Sequence, residues 1–334
     1  MTALISLTLK NNKEFRDFII KNLVLPEECS QVLEYLVNTG GYVETICNKA
    51  DNLHRIIKQE YPETISMAYS GYIKNFILKQ HFGLVDLIAD VTSENFYGKI
   101  SGFDIYPWTG KEGVKGKINF LVVGILFRNR IIPFYVVHLK LGASKAKFIG
   151  EAIRYCASLG LKIGKILLDR GFYSGEVINK IDAEKIHYLI FAPKKALFKC
   201  MLEGTEESIV VEHEIVYNKN FTKNKIYTEI ALIKDVRGYD WVFATNLSIR
   251  EIEKYVEIYK KRWNIETMFR VHDKARIQTK SKNPTLRLFY FLLGMLLVTI
   301  WNIFCKEKCT FKLFLTYISE TVDKTKIITK TITE

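Results

Sequence analysis

Asp90 and Asp169 each close a short apolar run, Leu84–Ala89 (LVDLIA) and Ile163–Leu168 (IGKILL). Strands built from these runs would deliver both carboxylates to one rim of a sheet. Carboxylates converging from rigid elements can bridge two metal ions roughly 3.5–4 Å apart, one activating a nucleophile and one the leaving oxygen of a phosphodiester. Hard oxygen donors suit magnesium or manganese. Each aspartate is followed by residues able to leave the strand, Val91-Thr92-Ser93 and Arg170-Gly171-Phe172. Gly171 permits a tight backbone, and Arg170 offers charge to a phosphate or to the carboxylates. Asp86 and Asp104 compete with Asp90. Asp86 would place an unpaired charge in mid-strand on the same face, which is costly, so Asp90 is preferred. The plainer reading of either aspartate is a cap on the turn that follows.

A third carboxylate belongs to a long helix read over Ile249–Ala275. Tyr259, Arg262 and Glu266 are spaced i, i+3 and i+7. At about 100° per residue they fall within roughly 60° of one another. Carboxylate, guanidinium and phenol on one stripe suit a site that takes metal and phosphate together; a solvated salt-bridge face is the competing reading. Trp241 precedes a last core strand and can stack on a flipped base, although a core tryptophan is the preferred reading. Arg276–Lys282 (RIQTKSK) and Arg287 are further phosphate candidates. None of the six histidines has metal-ligand spacing, and His272 reads as a surface residue.

The elements that would position these groups follow from the hydropathy pattern. Residues 1–82 read as a helical region, with apolar spacing over Asn12–Leu23, Pro26–Asn38 and Ser66–Phe82, and form a possible DNA-binding unit. Two strand-like runs, Ile118–Phe127 and Ile131–Leu139, are joined by the turn Arg128-Asn129-Arg130. Ser144 suits an N-cap for a helix over Ala146–Leu159, and Ser174 for one over Gly175–Lys185. His187–Ala192 and Trp241–Thr245 read as further strands. Three strands, a helix, a strand, a helix and a strand make the start of an RNase H-like fold. The expected class is α/β: a mixed sheet flanked by helices, its core in 84–193 and 239–318, a β-rich insertion in 194–238, and a polar tail in 319–334.

The net charge is +13, from 49 Lys+Arg against 36 Asp+Glu. That surplus favours a polyanionic partner, and a lysine-rich lineage explains it equally well. The cysteines form no CxxC pair, and Met1–Lys10 lacks a cleavable apolar core, so reduced thiols in a cytoplasmic setting are expected. The uncharged run Leu288–Phe304 approaches the length of a membrane span. Gly294 and Asn302 interrupt it, and a buried core helix is the simpler account.

The stretches Asp169-Arg-Gly-Phe-Tyr-Ser174 and Tyr259-Lys-Lys-Arg-Trp-Asn-Ile-Glu266 resemble the DDE transposases of IS4-type insertion sequences, archaeal members in particular. That family's signature runs Tyr, two residues, Arg, three residues, Glu, six residues, Lys. Tyr259, Arg262 and Glu266 match without gaps, whereas the lysine position holds Asp273, with Lys274 next to it. On a helix Lys274 lies about 80° from Glu266 and Arg270 about 40°, so either can take the phosphate contact. The resemblance covers residues 84–305 and implies metal-dependent cleavage at transposon ends followed by strand transfer from a freed 3′-hydroxyl. It implies Asp90, Asp169 and Glu266 as ligands of two Mg2+ or Mn2+ ions. Tyr259 and Arg262 would support Glu266 and touch DNA, with Arg270, Lys274, Arg170 and Trp241 as further DNA contacts. The implied partner is double-stranded DNA, both transposon ends and target, bound by a homodimer in the nucleoid, with no membrane. An RNase H-like nuclease, or an inactive or domesticated DNA-binding derivative, is the alternative.

Overall fold

The computed structural model describes residues 42–46, 50–80, 82–100, 102–108, 110–219, 221–305 and 309–316. The helices expected over Asn12–Leu23 and Pro26–Asn38, and the tail 319–334, lie outside them. The chain divides into two compact units, Ser70–Thr267 and a second made of Met1–Tyr69 with Met268–Glu334.

In chain order the described elements open with helices α1 (Val43–Ile46), α2 (Ala50–Ile57) and α3 (Pro62–Ile77). Strands β1 (Leu84–Phe96), β2 (Tyr106–Pro107), β3 (Gly116–Phe127) and β4 (Arg130–Leu139) follow. Next come α4 (Lys145–Ser158), β5 (Lys162–Leu168), α5 (Gly175–Ala183), β6 (His187–Phe191) and α6 (Ala196–Glu203). The hairpin β7 (Ile209–Lys219) and β8 (Thr222–Ile233), then β9 (Trp241–Thr245), complete the sheet.

The nine described strands belong to one sheet, ordered β2-β3-β1-β5-β6-β9-β8-β7, with β4 also on β3. β1, β5 and β6 are parallel, β3 is antiparallel to β1, and β4 is antiparallel to β3. This is the RNase H-like mixed sheet that the element order predicts. The β3–β4 turn needs left-handed backbone at both connecting residues, and Arg128 and Asn129 adopt it with φ of 48° and 59°. The central strands are covered on both faces, so they are unbroken apolar runs: Leu87, Ile88, Ala89, Ile166, Leu167 and Leu168 are all 0% exposed. Both expected serine caps form, with Ser144 Oγ accepting from Lys147 N at 3.2 Å and Ser174 Oγ from Val177 N at 3.3 Å. Residues 194–238 contain α6 as well as the β7–β8 hairpin, and β8 pairs directly with β9, so these strands extend the main sheet.

After β9 the chain forms α7 (Lys254–Lys260) and α8 (Trp263–His272), and then α9 (Pro284–Ile300), which belongs to the second unit. Asn283 caps α9 by accepting from Leu286 N at 3.0 Å, and Pro284 fills its first turn. By length and composition the stretch Pro284–Ile303 could cross a membrane, yet 83% of it is buried inside the protein. His54 bonds Tyr290 Oη at 2.7 Å, and His272 lies against Phe291 O at 3.1 Å. His272 is therefore no surface residue: it is 2% exposed. Arg287 is also drawn inward, its Nε donating to Ser281 O at 2.9 Å. Gly294 makes room for the His272 ring, because a β-carbon there would stand 2.7 Å from Nε2. Gly294→Ala should therefore cost about 1–3 kcal/mol of stability by overpacking, read as a lowered midpoint in urea denaturation. An unchanged midpoint would show that the ring has space to move.

Candidate active site

The β1–β5 pairing ends at Ala89↔Leu168. The next residues in that parallel register are Asp90 and Asp169, so neighbouring strands present two carboxylates side by side where β5 stops. β1 itself continues to Phe96, because β3 pairs with it from Asp86 through Phe96. Asp90 is thus not at a strand end, as the apolar run suggested, but at the point where β1 loses its partner on one side only.

Asp169 leaves the sheet through the turn Arg170–Phe172. Its Oδ1 accepts from Gly171 N at 2.7 Å, and its carbonyl from Phe172 N at 3.0 Å. Phe172, 1% exposed, pins the turn in the core. A β-carbon at Gly171 would lie 3.0 Å from Asp169 Oδ1, so glycine allows the backbone to approach that carboxylate. Lys145 Nζ donates to Gly171 O at 2.7 Å and sits 5.1 Å from the Phe172 ring centre. Sequence reading passed over Lys145. The available signal was a first turn of α4 with Lys145 and Lys147 and no acidic residue, against the preference of a helix dipole.

The long helix expected over Ile249–Ala275 is interrupted between α7 and α8. Lys261, Arg262, Asn264 and Ile265 all donate to the carbonyl three residues earlier, at 2.8–3.2 Å. Three residues per turn place Arg262 above Tyr259, with the guanidinium 5.5 Å from the ring centre. Arg262 is 7% exposed; its Nη1 donates to Asp90 Oδ2 at 3.0 Å and its Nη2 to Glu266 Oε1. Its Nε is buried with no hydrogen-bond partner among the described residues. Tyr259 is 3% exposed, its ring 5.7 Å from Phe191, 5.0 Å from Phe243 and 6.4 Å from Trp241. Burial pushes its phenol far up, so it stands neutral.

Burial raises the Asp90 carboxyl to about 6; Arg262 opposes the rise, while Asp169 and Glu266 add to it. Both other carboxylates are therefore felt at Asp90, and the three groups share one electrostatic site. All are hard oxygen donors suited to magnesium or manganese. Among the described residues, no three His, Cys, Asp or Glu side chains are gathered closely enough to hold a metal ion as they stand. Arg262 is the cation lying between Asp90 and Glu266.

The rival carboxylates are engaged elsewhere. Asp86 pairs with Lys165 at 3.0 Å, and Asp104 lies 3.8 Å from both His138 and Lys140. Arg170 is exposed in the turn after Asp169. Trp241 is half-buried, stacked on Phe243 at 5.9 Å, with its Nε1 donating to Val236 O at 3.3 Å. Arg270 and Lys274 are exposed and belong to the other unit.

A pH dependence follows from Asp90. Its folded pKa, about 6, lies above the unfolded value of about 3.9, so the native state holds the extra proton between these limits. Metal-free protein should lose this contribution as pH rises through about 6, by at most about 1.4 kcal/mol per pH unit. His272, which burial lowers to about 4, acts in the opposite direction, since its contribution is lost as pH falls from about 6.5 through 4. Wild type and Asp90→Asn share the histidine, so the difference between their urea-denaturation profiles isolates Asp90. Parallel profiles from pH 4 to 7 would count against a raised Asp90.

A family model described as the transposase DDE domain matches residues 121–301, more than half of the chain. The match takes in Asp169, Tyr259, Arg262 and Glu266 and begins beyond Asp90. Among solved structures, the chain is similar to a piggyBac transposase in a synaptic complex with hairpin DNA: TM-score 0.54, 12% identity, covering 96% of this chain and 69% of that one. A Drosophila P element transposase strand transfer complex is also matched, at TM-score 0.26 and 10% identity over 97% of this chain and 86% of that one, a score too low to add to the argument. The curated proteins contain no match. By its sequence match, with the fold in agreement, the chain belongs to the transposase DDE-domain family.

Proposed function

We propose that the protein is a DNA transposase of the IS4 type that cleaves the ends of its element and joins them to target DNA. Asp90, Asp169 and Glu266 are the proposed catalytic carboxylates. The observation that carries this reading is the β1–β5 register, which sets Asp90 and Asp169 side by side, with Arg262 reaching from Asp90 to Glu266. DDE transposases generally use divalent metal ions, and the three carboxylates would hold them, two Mg2+ or Mn2+ per site. When bound, such ions lower the pKa of the attacking hydroxyl and stabilise the leaving oxygen.

The remaining residues have roles that follow from their placement. The Gly171 turn holds Asp169 at the rim, and Lys145 ties that turn to the start of α4. Arg262 balances the carboxylates and turns toward a phosphate once they are otherwise neutralised. Its unpartnered Nε, which costs about 1–3 kcal/mol while buried, gains an acceptor in that move. Tyr259, neutral and wedged among aromatic rings, fixes the base on which the guanidinium rests. Arg170, Arg270, Lys274 and Trp241 are proposed DNA contacts, and the helical region 1–82 a DNA-binding unit. A homodimer pairing two ends in the nucleoid completes the reading.

The test uses purified protein, magnesium or manganese, and DNA spanning the ends of its own locus. Wild type should nick and join the ends, whereas Asp169→Asn and Glu266→Gln should lose both activities by at least about 100-fold, as expected when a group essential to the reacting centre is removed. Both variants should still bind DNA. Nicking without joining would point to an RNase H-like nuclease, and equal activity in wild type and Asp169→Asn would sink the site. Arg262→Ala should lower the cleavage rate more than the affinity, so an unchanged rate would remove Arg262 from the site.

A further inference from the structure

The β7–β8 hairpin ends in a segment that packing within the protein does not explain. Its pairing runs to Lys219↔Thr222, and Phe221 lies in the connection immediately before Thr222. Phe221 is fully exposed and has φ of 61°, the left-handed region that favours glycine or asparagine in a tight turn. Neither local conformation nor burial favours phenylalanine at this position. Between Tyr217 and Tyr227 the chain has Lys219, Lys223 and Lys225 and no acidic residue. Lys225 is engaged with Glu214 at 3.0 Å, and Tyr227 Oη donates to the same oxygen at 2.8 Å. Lys219 and Lys223 are exposed and form no ion pair among the described residues.

The hairpin is tied to the candidate active site at its base. Tyr217 packs on Gly175, the first residue of α5, so closely that a β-carbon at Gly175 would run into the ring. Gly175 directly follows the Asp169–Ser174 turn. The tip begins only two residues beyond Tyr217, about 7 Å along an extended strand. An exposed aromatic ring between two lysines therefore projects from an element anchored beside the Asp169 turn.

We propose that this tip is a DNA-contacting finger. Phe221 stacks on a base exposed near the cleaved end, and Lys219 and Lys223 hold the flanking phosphates. Aromatic stacking accepts any base because every base has a π-face, while lysines supply the salt-dependent part of the affinity. The proposal rests on the transposase reading and adds a contact to it. DNA is favoured over a protein surface because the lysines flank the ring on an element anchored at Gly175, just after the Asp169–Ser174 turn.

The test is fluorescence anisotropy of the full chain with a labelled duplex from its own locus end and a single strand of the same length, across a potassium chloride series. Phe221→Ala should weaken single-strand binding about tenfold, with Phe221→Trp restoring it. Lys219→Gln/Lys223→Gln should lower the salt slope for duplex binding by about two, with the Lys→Arg pair retaining it. All these side chains are exposed, so thermal melting should match wild type. The finger is overturned if wild type cleaves its DNA while the variants keep wild-type affinity and slope, an outcome that leaves the transposase reading standing. Loss of self-association in the variants with DNA binding unchanged would overturn it in favour of a contact between copies. A wild-type protein that binds neither DNA would overturn finger and transposase reading together.

Discussion

Carboxylates placed side by side in a partly buried rim repel one another, and the architecture around Asp90 follows from how that repulsion is held in check. The parallel register of β1 and β5 leaves Asp90 and Asp169 adjacent at the end of their shared pairing. Glu266 adds a third charge that is felt at Asp90. The compensating cation is Arg262, nearly buried and bonded to both Asp90 and Glu266. An arginine suits this place because its planar fork can address two carboxylates at once and keeps its charge when buried. A lysine, a point charge on a flexible stem, would satisfy one partner and lose rotamer entropy doing so.

That arginine depends on a support built by the far half of the sheet. Tyr259 lies beneath the guanidinium and is packed against Phe191 of β6 and Phe243 of β9. β9 is braced in turn by β8, and Thr245 ties it to β6 by donating to Tyr188 O at 2.8 Å. Residues 194–238 thus stiffen the aromatic wall behind Tyr259 besides projecting the hairpin tip. The tightened turn between α7 and α8 stacks Arg262 on Tyr259, where an unbroken helix would have rotated it away by about 60°.

The second unit shows the same economy of polar groups under burial. His272 is enclosed and held neutral, and its ring nitrogen finds Phe291 O because Gly294 leaves the space. Asn283 and Pro284 start the apolar α9 cleanly, and Arg287 spends its charge on the carbonyl of Ser281. The apolarity of α9 is that of a core helix, covered by protein along most of its length.

The sequence by itself determined the parts of this protein that are local. Apolar runs marked β1, β3, β4, β5, β6 and β9, serines at Ser144 and Ser174 marked helix starts, and the Asp169 and Tyr259–Glu266 motifs marked family membership. Each of these signals is carried by residues a few positions apart, where backbone sterics and capping act. Only the tertiary structure decided that Asp90 lies inside a longer strand, because its extension beyond Ala89 comes from pairing with β3, distant in sequence. Burial of His272 and Arg287 was equally hidden, since a polar residue reads as exposed until its partners, Phe291 and Ser281, are in place. The break between α7 and α8 had no glycine or proline to announce it; the attraction of Arg262 for Asp90, far away in the chain, accompanies it. Lys145 escaped notice for the same reason: its partner Gly171 is brought to it by the fold, and a hydrogen bond across separate elements leaves no periodic trace in a sequence.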